Sequence, residues 1–193
     1  MTQNQASIAD ALGRITPIPE EELAFFQRQL TWRTVQKGQY LTRSGEPCET
    51  IYYCDEGLFR MLYENEDGTE HIKSFISNGQ LFTDYRALLT GTPAFLSIQA
   101  LEHSRCASFT KATMEALYER HICWERFGRR LAEGLFIAKS LKERELIELS
   151  AEERYRLFLE QYPDLENRIP QYQIAAFLAI NPVSLSRIRR KLS

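Results

Sequence analysis

Residues 171–193, QYQIAAFLAINPVSLSRIRRKLS, hold four cations (Arg187, Arg189, Arg190 and Lys191) and no acid. The whole chain has 24 basic and 26 acidic residues, so without those four the remainder carries 20 against 26, a net of −6. A cationic end on an acidic body suits a polyanion, because its charges are free to meet phosphates. The types at Val183, Ser184, Ser186, Arg187, Arg190 and Lys191 also suit base reading. An Arg can make two hydrogen bonds to a guanine edge, a hydroxyl can serve several bases, and an apolar branch can meet a thymine methyl.

That chemistry needs a rigid support, and the spacing supplies one. Ile174 and Leu178 lie four apart with Ala175 between them, predicting a short helix over about residues 171–179. Leu185, Ile188 and Leu192 predict an inward face for a second helix over about residues 182–192. Asn181 is a good N-cap and Pro182 suits the first helical position. Two short helices, a tight turn and a small residue at the crossing predict a helix-turn-helix. In such a unit the N-terminal part of the second helix reaches base edges. Val183, Ser184 and Arg187 are then expected on bases, and Ser186, Arg190 and Lys191 nearer phosphates. Gln171 and Gln173 join the expected DNA-contacting set from the start of the first helix. Ala179 stands where such a turn commonly has Gly.

The 193 residues leave room for one large domain or two small ones. The 44% hydrophobic and 26% charged content is that of a soluble globular chain. No apolar run is long enough to span a bilayer, and residues 1–15 have neither a basic n-region nor an apolar core. The expectation is a cytoplasmic protein with no membrane partner. Cys48, Cys54, Cys106 and Cys123 lack CxxC spacing, so free structural thiols are expected and no metal. His71, His103 and His121 are too scattered to suggest a ligand set.

An acid-rich start at Glu20, Glu21 and Glu22, followed by Leu23, Phe26 and Leu30, predicts a helix over about residues 18–30. The texture then changes to short β-rich runs (TWRTVQ, QYLTR, TIYYC, GLFRMLY and HIKSFI) separated by turns, with a hairpin signal at Asp67-Gly68. Such spacing predicts a barrel or jelly roll. Helices return near Lys111. Over about residues 123–149, Phe127, Leu131, Leu135, Ala138 and Leu141 recur three or four apart, as does Leu146, in a stripe as narrow as a coiled-coil seam. Ser150 through Glu153 reads as a capping box for a further helix.

Lys37-Gly38-Gln39-Tyr40-Leu41, Ser44-Gly45-Glu46-Pro47-Cys48, Ile51-Tyr52-Tyr53-Cys54 and Gly57-Leu58-Phe59-Arg60 resemble the first half of a cyclic-nucleotide-binding domain. With the long helix and the terminal two-helix unit, the order of parts resembles the Crp/Fnr regulators of bacterial transcription. The resemblance implies an α+β fold in three parts. Residues 1–122 would be a jelly-roll sensor, 123–149 a dimerisation helix joining two copies in parallel through Phe127, Leu131, Leu135, Ala138 and Leu141, and 150–193 a DNA-binding helix-turn-helix.

In that family the nucleotide sits on a Gly-Glu-Leu cassette, a short helix and an Arg that neutralises the cyclic phosphate. Gly79, Gln80, Leu81, Phe82 and Ser97 are the residues assigned to that pocket here. Gln80 stands in place of the Glu, and residues 87–101 contain no cation. Burying a phosphate without a counter-charge is costly, so cyclic AMP is not expected to bind in the usual way and no cofactor is assigned. An unknown effector in a pocket near Phe82, Leu89 and Phe95, a protein or redox input, or no ligand all remain open. Members of that family usually carry a β-hairpin wing beside the helix-turn-helix, and the eight residues from Pro163 to Pro170 are short for one.

The implied partners are an inverted-repeat DNA duplex, a second copy of the chain and RNA polymerase. The competing expectation is a ligand-sensing or protein-interaction module that has lost DNA binding. Paired carboxylates, nucleophile–base motifs and phosphate loops do not occur at recognisable spacing, so an enzyme is not expected.

Overall fold

The computed structural model describes residues 7–65 and 67–192. Its strands are β1 (Thr31–Val35), β2 (Tyr40–Thr42), β3 (Thr50–Glu56), β4 (Phe59–Glu64), β5 (Glu70–Ile76), β6 (Gln80–Phe82), β7 (Ser97–Ala100) and β8 (Ser104–Thr110). They form two four-stranded sheets ordered β1-β8-β3-β6 and β2-β7-β4-β5, with every pairing antiparallel. The first five strands fall on the five runs read from the sequence, and the Asp67-Gly68 signal lies in the β4–β5 hairpin. Strands β6, β7 and β8 lie outside those runs, although β8 is an inner strand of its sheet. Tyr52, Cys54, Phe59, Met61, Phe82, Leu96 and Ile98 form the apolar layer between the sheets.

The helices are α1 (Ile8–Ile15), α2 (Glu20–Gln27), α3 (Tyr85–Thr90), α4 (Lys111–Arg120), α5 (Ile122–Glu148), α6 (Ala151–Gln161), α7 (Gln171–Phe177) and α8 (Pro182–Leu192). Helix α1 also lies outside the expected elements, yet Ser7 and Asp10 close a reciprocal capping box at its start. The link from Pro163 to Pro170, short for a hairpin, holds a 3-10 turn at Leu165–Asn167.

Two further cores tie the helices to the sheets. On one side Phe26, Tyr53, Phe109, Trp124 and Phe127 pack α1, α2, α4 and the start of α5 together. The Trp124 indole and Arg120 guanidinium each donate to the buried carboxylate of Glu22 at 3.0 Å. Burial alone would raise that carboxyl's pKa, but these donors outweigh it and hold it below its ordinary value. On the other side Leu62, Ile72 and Phe75 of the sheet meet Phe158 of α6, Ile174 and Phe177 of α7, and Leu185 of α8. Phe177 touches Phe75, Phe158 and Tyr162 at ring-centroid distances of 5.5, 5.7 and 5.6 Å. Aromatic area of this size dominates local stability, so truncating Phe177 to Ala should cost about 3–5 kcal/mol.

Helix α5 changes character along its length, and this corrects one expectation. Phe127, assigned to a dimer seam, is fully buried in the protein's own core, and Leu131 is half-buried against it. Leu135, Ala138 and Leu141 are exposed. Phe136 at 70% exposure and Ile147 at 84% are open as well, as is Ile137.

Candidate nucleic-acid interface

Helix α8 starts where the sequence places it. Asn181 Oδ1 accepts the backbone N–H of Ser184 at 2.7 Å, satisfying an amide the helix itself cannot use. Helix α7 ends in a Schellman turn, with the Ile180 amide donating to the Ala175 carbonyl at 3.0 Å. The left-handed residue of that turn is Ala179, at φ 53°. A side chain there costs about 1–2 kcal/mol relative to an unstrained conformation. Ala175 is buried at the crossing, and Leu185 is fully buried opposite it. Arg154 pins the turn from below by donating to the carbonyls of Leu178 at 3.2 Å and Leu149 at 2.7 Å. The end of α5 and the turn before α8 therefore share one guanidinium.

With Leu185 turned inward, α8 presents Val183, Arg187 and Arg190 along one outward stripe, spaced i, i+4, i+7. Val183 is 62% exposed, although a branched apolar residue gains from burial. Ser186, Arg187, Arg190 and Lys191 are exposed and Ser184 is half-buried. The four cations divide into two kinds. Arg189 pairs with Glu166 at 3.6 Å, and Lys191 pairs with Glu152 at 2.5 Å. Lys191, then Arg156, hold the Glu152 carboxyl below its ordinary pKa. Arg187 and Arg190 have no ion-pair partner among the described residues.

The structure corrects other assigned residues. Gln171 is exposed, but Gln173 is buried, its amide nitrogen donating to the Tyr172 hydroxyl at 3.3 Å. It faces the protein's interior and cannot reach a partner. Leu192, expected inward, is 36% exposed on the last turn.

The pocket residues are similarly redistributed. Gly79 and Gln80 lie at the start of β6, ahead of the short helix. Gln80 is exposed and its side chain accepts from the Ser77 amide at 2.7 Å. Leu81 packs against one core, while Phe82 is buried in another, its ring 5.0 Å from Phe59 and 5.5 Å from Tyr52. Ser97 is buried and its hydroxyl accepts the Ser44 amide at 3.0 Å. Of the aromatic and apolar residues expected beside the pocket, Leu89 and Phe95 are exposed.

The residue that organises this region is Asp84, which no motif in the sequence marks. Its carboxylate, 2% exposed, caps α3 by accepting from Ala87 N–H at 3.2 Å. It also accepts from the amides of Phe95 at 2.7 Å and Leu96 at 3.3 Å in the segment leading to β7. Converging N–H groups of this kind form an anion-binding nest, here filled by the chain's own anion. The nearest cation in sequence, Arg86, lies 3.7 Å from the centroid of the Phe95 ring. A cyclic phosphate does not fit this arrangement, because the Ala87, Phe95 and Leu96 amides are already taken by the Asp84 carboxylate, itself an anion.

All four cysteines are buried and none forms a disulfide. Burial pushes the thiols of Cys54 and Cys106 up to about 12 and about 11, so both stay protonated at neutral pH. Among the described residues no group of His, Cys, Asp or Glu could hold a metal ion, and no helix is long and apolar enough to cross a membrane.

Comparison with known proteins supports the same architecture. The cyclic nucleotide-binding domain matches residues 32–121. The c-di-GMP responsive global regulator CLP of Xanthomonas campestris is 15% identical, with a TM-score of 0.71 over 90% of this chain and 91% of that one. FixK2 of Bradyrhizobium japonicum is 20% identical, with a TM-score of 0.71 over 84% of each chain. The catabolite activator protein of Thermus thermophilus is 21% identical, with a TM-score of 0.61 over 94% of this chain and 86% of that one. At these identities the likeness is one of fold. A lysophospholipase of Neurospora crassa is 24% identical over 108 residues, 56% of this chain, but the chain spans only 7% of its length.

Proposed function

We propose that the protein is a sequence-specific DNA-binding regulator of transcription that acts as a homodimer and needs no cyclic nucleotide. The observation that carries this reading is the pair Arg187 and Arg190, exposed and without acid partners among the described residues, on a helix whose start, turn and inner face are all fixed. Residues 150–193 form the DNA-binding helix-turn-helix and α8 is its recognition helix. Val183, Ser184 and Arg187 meet base edges, while Gln171, Ser186, Arg190 and Lys191 lie nearer the backbone. The fold shared with a global regulator and a catabolite activator protein supports the reading.

Dimerisation falls to the exposed part of α5. Leu135, Phe136 and Ile137 follow one another and so span about 200° of the helix circumference. An isolated helix exposing apolar groups over so wide an arc is unfavourable in water. One partner helix covers only part of that arc, so the second copy must bring further surface to it. The seam begins near Leu135, with Ala138 and Leu141 within it. Leu141, 53% exposed, is a position where a buried charge would be costly and the free chain unharmed. Leu141→Glu should therefore yield a folded monomer by analytical ultracentrifugation. Its affinity for an inverted repeat should fall by at least about a hundredfold, because the two half-sites no longer bind as one.

The sandwich of residues 1–122 would then position the recognition unit without responding to cyclic AMP, its anion nest being filled by Asp84. The competing reading, a module that no longer binds DNA, draws on the internal pairing of Arg189 and Lys191. Retention on a DNA column separates the two. The proposed function requires retention that weakens steeply with salt, and flow-through at low salt would contradict it.

A further inference from the structure

A second group of cations without acid partners lies at the opposite edge of the sandwich. Between Glu22 and Glu46 the chain has four basic residues, Arg28, Arg33, Lys37 and Arg43, and no acid. Arg33, Lys37 and Arg43 are exposed and line a groove of about 680 Å³ between β1 and β2, together with Tyr40. Arg33 donates to the Ser108 hydroxyl at 3.2 Å, and Arg43 lies 3.9 Å over the Tyr40 ring. None of the three is in an ion pair among the described residues, and the nearby Glu46 carboxylate accepts from the Arg43 backbone amide at 2.8 Å. In an acidic chain, cations left unneutralised at one place imply an external anion or simple solvation.

The backbone narrows the choice. Strand β1 ends one sheet and β2 ends the other, so both present unpaired edges at this corner. From Thr31 to Thr34 every residue of β1 is exposed. An open edge beside a basic groove offers hydrogen-bonding groups to an extended chain and charges to its side chains. Helix α7 packs beyond β5, at the far end of the β2-β7-β4-β5 sheet, so DNA held by α8 approaches from the other side.

We propose that the β1–β2 corner docks an acidic, extended segment of a partner protein, which adds as a strand along β1 with its carboxylates on Arg33, Lys37 and Arg43. This does not depend on DNA binding by α8. The test is fluorescence anisotropy of the full-length protein with a labelled peptide of about ten residues alternating glutamate and valine. Three comparisons accompany it: the same peptide with prolines at the valine positions, an oligothymidylate of equal charge, and the Arg33→Glu/Lys37→Glu/Arg43→Glu variant. The variant should remain folded by circular dichroism, because all three side chains are exposed. The expected result is peptide binding that drops at least about tenfold in the variant and about fivefold with the prolines. Equal binding of the proline peptide would remove the strand, and tighter, variant-sensitive binding of the oligothymidylate would make this a nucleic-acid surface. No peptide binding, or aggregation of the variant with binding unchanged, would leave the cations as guards of an open edge and overturn the proposal.

Discussion

The short helix α3 and the tip formed by α7 and α8 treat charge in opposite ways. Around α3 the buried carboxylate of Asp84 accepts from three amides of the same chain. At the tip, Arg187 and Arg190 are exposed, with no ion-pair partner among the described residues. Internal satisfaction makes a region rigid and indifferent to ions, because an incoming anion must displace bonds already made. Unmet charge makes a region available, because binding exchanges only water and counterions. In the proposed function the first property describes an input that has closed and the second an output that stays open.

The largest effect should come from opening the closed side. Asp84→Ala strips three amides of their acceptor and should cost about 3 kcal/mol, since each buried unmet group costs about 1–3 and water reaches some of them. For a chain of this size that is a fall in melting temperature of about 6–12 °C. An unchanged melting temperature would mean that the nest is already solvated. On the open side, Arg187→Ala should weaken binding to the preferred duplex by about 1–3 kcal/mol and relax selectivity at a single base pair. An unaltered footprint and base preference would remove Arg187 from the reading role.

Ala179→Gly sharpens the comparison without touching charge. Relief of the left-handed strain should raise stability by about 1 kcal/mol, less the cost of glycine's freedom in the unfolded chain, with base preference intact. Thermal denaturation and duplex titration measure both halves. The smallest effect belongs to Lys191→Ala. An ordinary phosphate contact lowers the salt slope by about 1, but Lys191 must first leave Glu152, so the slope should fall by less than that. A full unit would show that the Glu152 pair does not compete.

How far the sequence could be read depended on whether the deciding interaction was local. Asn181, Pro182 and the spacing of Leu185 and Ile188 define α8 because capping and periodicity act within a few residues. The same logic could have found α1, whose Ser7 and Asp10 are a capping pair three apart. Phe127 and Leu141 look alike in the stripe, since periodicity names a face without naming what covers it. The helix passes from its own core into the open between them, and only tertiary packing marks where. Gln173 was misplaced for the converse reason: a polar side chain on a short helix is usually outside, yet this one lies against the core. At the cassette, Gly79 and Leu81 matched a motif while the organising carboxylate lay a few residues on, because Asp84 bonds to amides eleven and twelve residues away as well as to its own helix.

Selection of bound duplexes from a random pool, using purified full-length protein with no nucleotide added, tests the central claim most directly. The account predicts an inverted repeat with half-sites about one helical turn apart, recovered equally well with and without cyclic AMP. A pool that yields no motif, or yields one only when cyclic AMP is present, would contradict it.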